Sequence, residues 1–584
     1  MEDNLKLANI RHTLAHLLAQ AVKAEHPNAK LTLGPAIDNG FYYDVDFGST
    51  KLSDDDLPKL EKIMRQNLSN WKEFTNKELS PEDALEYFKD NEYKTELINE
   101  IRDRDEKITL YTCDGFTDLC RGGHATNPNK EIKMDSFKLD RVAGAYWRGN
   151  ENNKMLTRIY GLAFSTKDEL DSYINQQEEA QKRDHRKLGK ELELFTIIEE
   201  IGGGLPLFYP NGAIMRREIE NFITDVQEKR GFMPIWIPHI TKGKLYEISG
   251  HLDKYDAMYT PMTIDEGEKY YLKPMNCPHF MMLYKTLPHS YRDLPVRYVS
   301  TTTNYRYEKS GELSGLTRVR SLTQDDCHVF CEPTKIHDEI KVMLEMISEL
   351  YKTFGFEDFY VRISLRDSQN KSNYLGNDDV WDRAENALRE IVKSTGWNYK
   401  EAEDEAAFYG PKLDFMFKDA LGREWQLSTI QLDFNLPEKF ELDYTNDAGE
   451  KVRPVVIHRA MLGSTERFMG IMIEHFAGKF PTWLSPIQVA IIPVRENHEE
   501  ESLKIQEELR ASGIRCEIYT GNDSLGKRIH KANKFNTPYV IVFGDKEMSS
   551  GVLTIESRNG KMEGVSKYEF IEKITKEIKE KTLN

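Results

Sequence analysis

The chain is 584 residues long, yet no stretch of it approaches the ~20 consecutive apolar residues that a membrane-spanning helix requires. Cysteine is scarce. The six, Cys113, Cys120, Cys277, Cys327, Cys331 and Cys516, lie far apart. The opening MEDNLKLANIRHTLAHLLAQAVK has no basic leader segment, and histidines interrupt its only apolar run. A disulfide framework is therefore not expected, and the thiols read as reduced, cytoplasmic and in part chemical. Low-complexity tracts and internal repeats are absent. So is basic excess: the formal charge of −17 argues against a generic nucleic-acid coat, because a phosphate backbone wants basic surface. From Leu484 onward acidic and basic residues balance, which makes the C-terminal part the easiest to place beside RNA.

The length calls for three or four domains. The most informative stretch is RYVSTTTNYRYEKSGELSGLTRVRSLTQDDCHVFC, Arg297 to Cys331. It reads as two β-strands joined by a Gly-containing loop, Lys309 to Thr317. On the second strand Arg318, Arg320, Leu322, Gln324, Asp326 and His328 fall on one face. Thr302, Asn304, Arg306 and Glu308 share a face of the first. A core strand would bury apolar residues there. Arginines, an amide, a carboxylate and a histidine suit a polyanionic ligand lying across a sheet.

Residues 1–165 open with an amphipathic helix that carries His12 and His16, one turn apart. Later DLCRGGH supplies Cys120 and His124. HxxxH with CxxxH is a four-ligand set for zinc, a metal-free pocket in which imidazoles activate water, or a group of core histidines. Residues 166–184 read as a charged linking helix. The module 185–483 contains a long amphipathic helix with a strand ending at Pro238, then KPMNCPHF, the polar hairpin, FYGPKLDFMF, REWQLSTIQLDF and VVIHRAMLGSTERFMGIMIEHF. The last reads as strand, Gly turn and helix, with Arg467 near the helix start, where N–H groups and a guanidinium can meet phosphate. Residues 484–584 alternate strand and helix as an α/β module. The class is α+β and multidomain.

An arginine and an acid two apart on a strand (Arg306, Glu308), a long loop, a strand of arginines and a Gly-x-x-x-Arg helix start (Gly463, Arg467) are similar to motifs 2 and 3 of class II aminoacyl-tRNA synthetases. The helix and strand ending at Pro238 resemble motif 1, the dimer-forming element. KPMNCP, TQDDCH, FYGPK and HRAMLGSTERF resemble the threonyl-tRNA synthetase family in particular, and the resemblance covers nearly the whole chain.

That resemblance implies an antiparallel-sheet catalytic core, an N-terminal editing domain and a C-terminal anticodon-binding domain. It also implies ATP-dependent attachment of threonine to its tRNA. Cys277, His328 and His458 would hold one zinc ion per subunit. Asp326 would hold the threonine ammonium group, with Gln324 and Tyr409 lining the pocket. Arg306 would bind the α-phosphate, Glu308 the adenine amino group, and Arg318 and Arg467 the outer phosphates, with Gln426 nearby and magnesium travelling with ATP. Leu322 stands where the family presents a phenylalanine to the adenine. His12, His16, Cys120 and His124, with Tyr43, Lys94 and Asp118, would form a metal-free pocket that clears serine from the tRNA. Asn522 and Glu547 match anticodon contacts. His530 and Glu556 replace two expected arginines, and Arg528 or Arg558 is the expected substitute. The family often begins with a small ubiquitin-like domain, whereas this chain starts directly at the editing domain. The competing class is a synthetase-derived RNA-binding regulator without catalysis.

Overall fold

A computed structural model describes residues 2–264, 267–419, 422–521 and 523–583. The chain divides into two compact units, 1–178 and 179–584.

The first unit is built on helix α1 (Glu2–Glu25). Its sequence reads as amphipathic, but from Thr13 to Ala19 every residue is buried. Leucines fill the space on one side, and alanines let neighbouring elements approach on the other. Strand β1 (Gly40–Asp46) pairs with Met155–Ala163 in an antiparallel sheet over this helix. The charged stretch from Pro81 forms two helices, the second being α2 (Glu92–Asp103), which Asn91 caps by accepting from the N–H groups of Tyr93 and Lys94. Strand β2 (Phe116–Leu119) is the edge of a separate three-stranded sheet and carries Asp118. The expected linking helix is present at Lys167–Arg183, where Leu170 is the buried residue.

In the second unit, helix α3 (Pro210–Glu228) begins with proline at its first turn, where the missing N–H costs nothing. The strand expected to reach Pro238 is shorter: β3 covers only Met233–Pro234, with one further bond from the N–H of Ile235 to the carbonyl of Val299. Helix α4 (Cys277–Lys285) follows Asn276. Strands β4 (Val296–Tyr305) and β5 (Ser321–Cys331) are the two arms of the polar hairpin, and β6 (Glu424–Asp433) and β7 (Val455–Ala460) lie beyond them. The eight-stranded sheet runs β3, β4, β5, β7, β6, then Lys412–Lys418, Phe359–Ser364 and Tyr399–Ala402. One face packs on the helix Ile336–Phe354 through Cys327, Val329, Ile457 and their neighbours. Helix α5 (Thr465–His475) leaves β7 by the glycine turn and is capped by Ser464, whose hydroxyl accepts from the N–H of Arg467.

The expected α/β tail is present as a five-stranded sheet, but its last two strands, Val552–Ser557 and Gly560–Ser566, form an antiparallel hairpin in place of an alternating helix. The segment Pro481–Ser485 is buried, with Arg515 donating to the carbonyls of Trp483 and Ser485. It is packed interior, not an exposed linker.

Candidate active site and a histidine–cysteine pocket

Register sets the polar face of the hairpin. Thr302 pairs with Gln324, Asn304 with Leu322 and Ser300 with Asp326, so these side chains rise from one surface. His328 pairs onward with His458 on β7, and His458 with Gln431 on β6. Above this surface lies a cavity of about 600 Å³. Arg306, Glu308, Arg318, Leu322, Gln324, Asp326, Tyr409, Gln426, Arg467, Cys277 and His458 all line it. His328 is fully buried beneath.

The alternation fails at one point. Strand β5 begins at Ser321, so Arg318 and Arg320 belong to the loop, not to the strand face. Arg318 reaches the cavity and pairs with Glu308 at 2.8 Å. Arg320 turns away to stack on Tyr307 and donates to the carbonyl of Glu308. Arg306 and Glu308 likewise lie just past the end of β4.

One ligand atom from each of Cys277, His328 and His458 lies within 4.8 Å of the other two. Donors bound tetrahedrally to one zinc ion stand roughly 3.3–3.7 Å apart, given Zn–N near 2.0 Å and Zn–S near 2.3 Å. Both ring nitrogens of His328 and Nδ1 of His458 are buried without a hydrogen-bond partner. The other nitrogen of His458, Nε2, is 2.9 Å from Asp433 Oδ2, the arrangement that orients a metal-bound imidazole. Burial works against a proton on His458, yet Cys277 and Asp433 outweigh it and lift the imidazole to about 10. His328, buried against His458, falls well below its ordinary range. A thiol and two imidazoles, two of them with orphaned nitrogens, fit a zinc ion. Asp326 is raised to about 6, mainly by burial, although Asn276 donates to it at 2.9 Å.

Sequence reasoning missed several supports of this cavity. Tyr255, Met275, Asn276 and Lys412 line it; Asn276 donates to Asp326 and is itself held by Lys273. The available signal, for Lys273 and Asn276, was the polar residues of KPMNCP. Arg362 and Asp414 grip Gln426, with Asp414 accepting from its amide at 2.6 Å.

In the first unit His12, His16, Cys120 and His124 converge. Cys120 Sγ stands 3.5 Å from His12 Nε2 and 3.4 Å from His124 Nε2, and the ε-nitrogens of His12 and His16 are 3.2 Å apart. Beside them Asp118 receives Lys94 at 2.5 Å and the Tyr43 hydroxyl at 2.5 Å, with His16 Nδ1 at 3.3 Å. Lys94, on α2, is buried. Burial opposes charge on Cys120, but hydrogen bonds from His12, His124 and His16 bring the thiol down to about 3. Burial pushes His124 down, whereas Asp118 and Cys120 overcome burial to lift His16 to about 9. Of the seven predicted residues, six line a cavity of about 350 Å³; His124 stands behind it.

Asn522 lies outside the described residues. Glu547 is mostly buried and accepts from Gly544 N–H at 3.1 Å and from the Thr554 hydroxyl at 2.7 Å. Arg528 and Arg558, the expected substitutes, are both engaged with main-chain carbonyls. Arg528 is buried and donates to the carbonyls of Pro493, Val494 and Asp523. Arg558 donates to those of Phe480 and Asn536, and burial lowers it to about 10. His530 is on the helix Leu525–Lys534, and Glu556 is exposed on an edge-hairpin strand.

Residues 259–476 match the tRNA synthetase class II core domain (G, H, P, S and T), 488–577 the anticodon binding domain, and 108–160 the threonyl and alanyl tRNA synthetase second additional domain. The chain is 48% identical over 552 residues to threonine–tRNA ligase of Rubrobacter xylanophilus, spanning 94% of this chain and 85% of that one. It is 47% identical to the Staphylococcus carnosus enzyme, over 98% of this chain and 88% of that one. The chain belongs to the threonyl-tRNA synthetase family. It is a threonine–tRNA ligase, with a class II core, an anticodon-binding domain and an editing-type domain. Among solved structures, the RNA binding domain of threonyl-tRNA synthetase from Cryptosporidium parvum matches with a TM-score of 0.64 at 35% identity, over 67% of this chain and 98% of that one. A Giardia lamblia prolyl-tRNA synthetase, at 17% identity and TM-score 0.53 over 70% of this chain and 81% of that one, shares the fold.

Proposed function

We infer that the chain selects threonine with a zinc ion held by Cys277, His328 and His458, and that the pocket of the first unit hydrolyses seryl-tRNA. What carries the first half is the convergence of one thiol and two imidazoles, with orphaned nitrogens, at the floor of a cavity walled by arginines. When bound, zinc would act as a Lewis acid toward both the amine and the hydroxyl of the amino acid, so valine, which lacks the hydroxyl, would be refused. Asp326 receives the N–H groups of the amino nitrogen, both as it enters as an ammonium group and once it is ligated, and Tyr409 and Gln324 close the pocket around the side chain. Arg306 meets the α-phosphate of ATP, where charge develops as the threonine carboxylate attacks. Glu308 reads the adenine amino group, Leu322 packs on the base, Arg318 and Arg467 hold the outer phosphates, and magnesium accompanies the nucleotide.

Serine carries both groups that this pocket reads and lacks only a methyl. One methylene-sized difference is worth roughly 1–3 kcal/mol, about 10–200-fold, so serine leaks through. A second cavity too small for the threonine methyl corrects the error. His12 and His16, the imidazoles that border the cavity, position the attacking water, while Lys94, Asp118 and Tyr43 hold the amino ester. Metal there is disfavoured on coordination grounds. Four protein donors close a tetrahedral ion and leave no position for substrate.

The same reading divides the chain into an editing domain (1–165), a linking helix (166–184), a catalytic domain (185–483) and an anticodon-binding domain (484–584). Asn522 and Glu547 meet the anticodon; an ionised Glu547 retains acceptor sites beyond its two internal bonds. Two subunits join through the motif 1 edge, and the protein works in the cytoplasm; among the described residues no helix is long and apolar enough to cross a membrane.

The deciding experiment is ATP–pyrophosphate exchange with threonine, serine, valine and proline side by side, in wild type and Cys277→Ser. Exchange with threonine and weakly with serine, lost in Cys277→Ser together with bound zinc, is expected. Undiminished exchange in that variant would sink the zinc assignment. Exchange with none of the four would favour an RNA-binding regulator. For the second pocket, a His12→Ala/His16→Ala double variant should charge threonine normally yet accumulate seryl-tRNA. Bound zinc in the wild type should be one per chain, and two would place metal in the editing pocket.

A further inference from the structure

Lys273 follows the strand Lys269–Leu272 and precedes the helix that starts at Cys277, and its side chain is wholly buried. It does not line the cavity. A buried ammonium group can only donate, and it requires acceptors. Its Nζ donates to Asn276 Oδ1 at 2.9 Å and to Thr302 Oγ1 at 2.7 Å. Asn276, equally buried, donates from Nδ2 to Asp326 Oδ2 at 2.9 Å.

This chain of bonds has a direction imposed by chemistry. The lysine end only gives, and an ionised aspartate end only receives. The amide between them must therefore turn its oxygen to Lys273 and its NH₂ to Asp326. Removing the ammonium frees that amide to rotate, and a rotated amide would present an oxygen to the carboxylate. We propose that Lys273 is a positioning residue for the amino-acid half of the reaction: acting through Asn276, it fixes the Asp326 carboxylate in the orientation that meets the threonine ammonium group. The proposal rests on the reading of Asp326 as the ammonium ligand.

The main chain of Lys273 does different work. Its carbonyl accepts from Tyr305 N–H at 2.9 Å, and its N–H donates to the His239 carbonyl at 3.0 Å. Tyr305 is the last residue of β4, and Arg306, which follows, donates to the Pro274 carbonyl at 3.3 Å. The backbone of Lys273 thus serves the nucleotide side, while the side chain serves the amino-acid side. A substitution removes only the latter, so the two Michaelis constants should part.

The test is ATP–pyrophosphate exchange with zinc-loaded Lys273→Met, Lys273→Gln and Asp326→Asn. Loss of one hydrogen bond to a charged group should raise the threonine KM of Lys273→Met about 10-fold or more. Its ATP KM should stay within about two-fold of wild type, the signature of a loss confined to one substrate. Zinc per chain, measured by elemental analysis, should not change. Lys273→Gln, shorter but still able to donate to Asn276, should recover part of the loss. An unchanged threonine KM in Lys273→Met, equal rises in both constants, or loss of zinc would overturn the proposal. Where Lys273→Met does not fold, Lys273→Gln decides: a raised threonine KM beside an unchanged ATP KM supports the role, and any other pattern refutes it. Asp326→Asn separates the two ideas. An unchanged threonine KM there removes the ammonium assignment and this role with it. A raised value there beside an unchanged one in Lys273→Met removes only the role of Lys273.

Discussion

Cys120 and Leu322 show how far a single side chain can be read from its surroundings. Cys120 is the one partly exposed cysteine among the described residues; the other five are buried. An ordinary thiol, with a pKa near 8.5, loses thiolate about tenfold per pH unit below that value, and its alkylation slows in step. At Cys120 burial would raise the pKa, but the hydrogen bonds of three imidazoles depress it to about 3. The thiolate therefore persists as pH falls, and alkylation by iodoacetamide should be nearly flat between pH 8 and 6. A tenfold fall per unit over that range would show an ordinary thiol and break the cluster's electrostatics. Leu322 is 8% exposed on the cavity wall, so an adenine placed there meets aliphatic surface without a π face. Leu322→Phe should tighten ATP binding, by roughly the 0.5–1.5 kcal/mol of an aromatic pair. Calorimetry that finds equal or weaker affinity would mean that the base does not stack at this position.

Among the elements, the hairpin and the glycine turn are locked together by a buried pair. Asp325 and Arg459 are both fully buried and 3.3 Å apart, and Asp325 also accepts from the N–H groups of Met461 at 2.8 Å and Leu462 at 2.9 Å. The strand face that packs on the core thus holds the turn that aims Arg467. Asp325→Leu would leave Arg459 buried and unpaired, at a cost of roughly 3–5 kcal/mol. Scanning calorimetry should show the transition of the second unit moving down while that of the first stays in place; no shift would mean that Arg459 finds another partner or water. The chemistry of this region was legible because Asp326, His328 and His458 stand in motifs whose residue types have few other uses. Asp325 was not, because a carboxylate on a core-facing position has meaning only once its partner on β7 is known. Arg320 misled for a similar reason: alternation predicts a face only where a strand exists, and β5 starts one residue later. Lys94 was named only through the family resemblance, because nothing in its charged helix shows that Asp118, from a separate sheet, lies against it. The C-terminal hairpin did carry its signal, Asn559 in the two-residue turn and Gly560, whose φ of 118° suits glycine, opening the second strand.

For the molecule as a whole, the edge of the catalytic sheet is the feature that a monomer leaves unexplained. β3 is the outermost strand, two residues long, with prolines at 234 and 238 that deny further strand pairing. On it Met233 is 46% exposed, and two residues past it Trp236 is 80% exposed. Scattered exposed apolar residues are ordinary, but an indole so open beside an edge strand is of the kind that anchors an interface. The prolines direct that interface away from edge-to-edge strand addition and toward side-chain packing. A closed two-fold arrangement, in which the same patch meets itself, is the commonest solution for such a surface. Sedimentation velocity should accordingly give a mass near twice the 67.9 kDa of one chain. Trp236→Arg places a charge against its own symmetry mate and should shift the population to monomers at micromolar concentration. Since Trp236 belongs to the second unit, the melting temperature of the first should hardly move. A wild type that sediments as a single chain, or a Trp236→Arg variant that remains dimeric, would place the contact elsewhere.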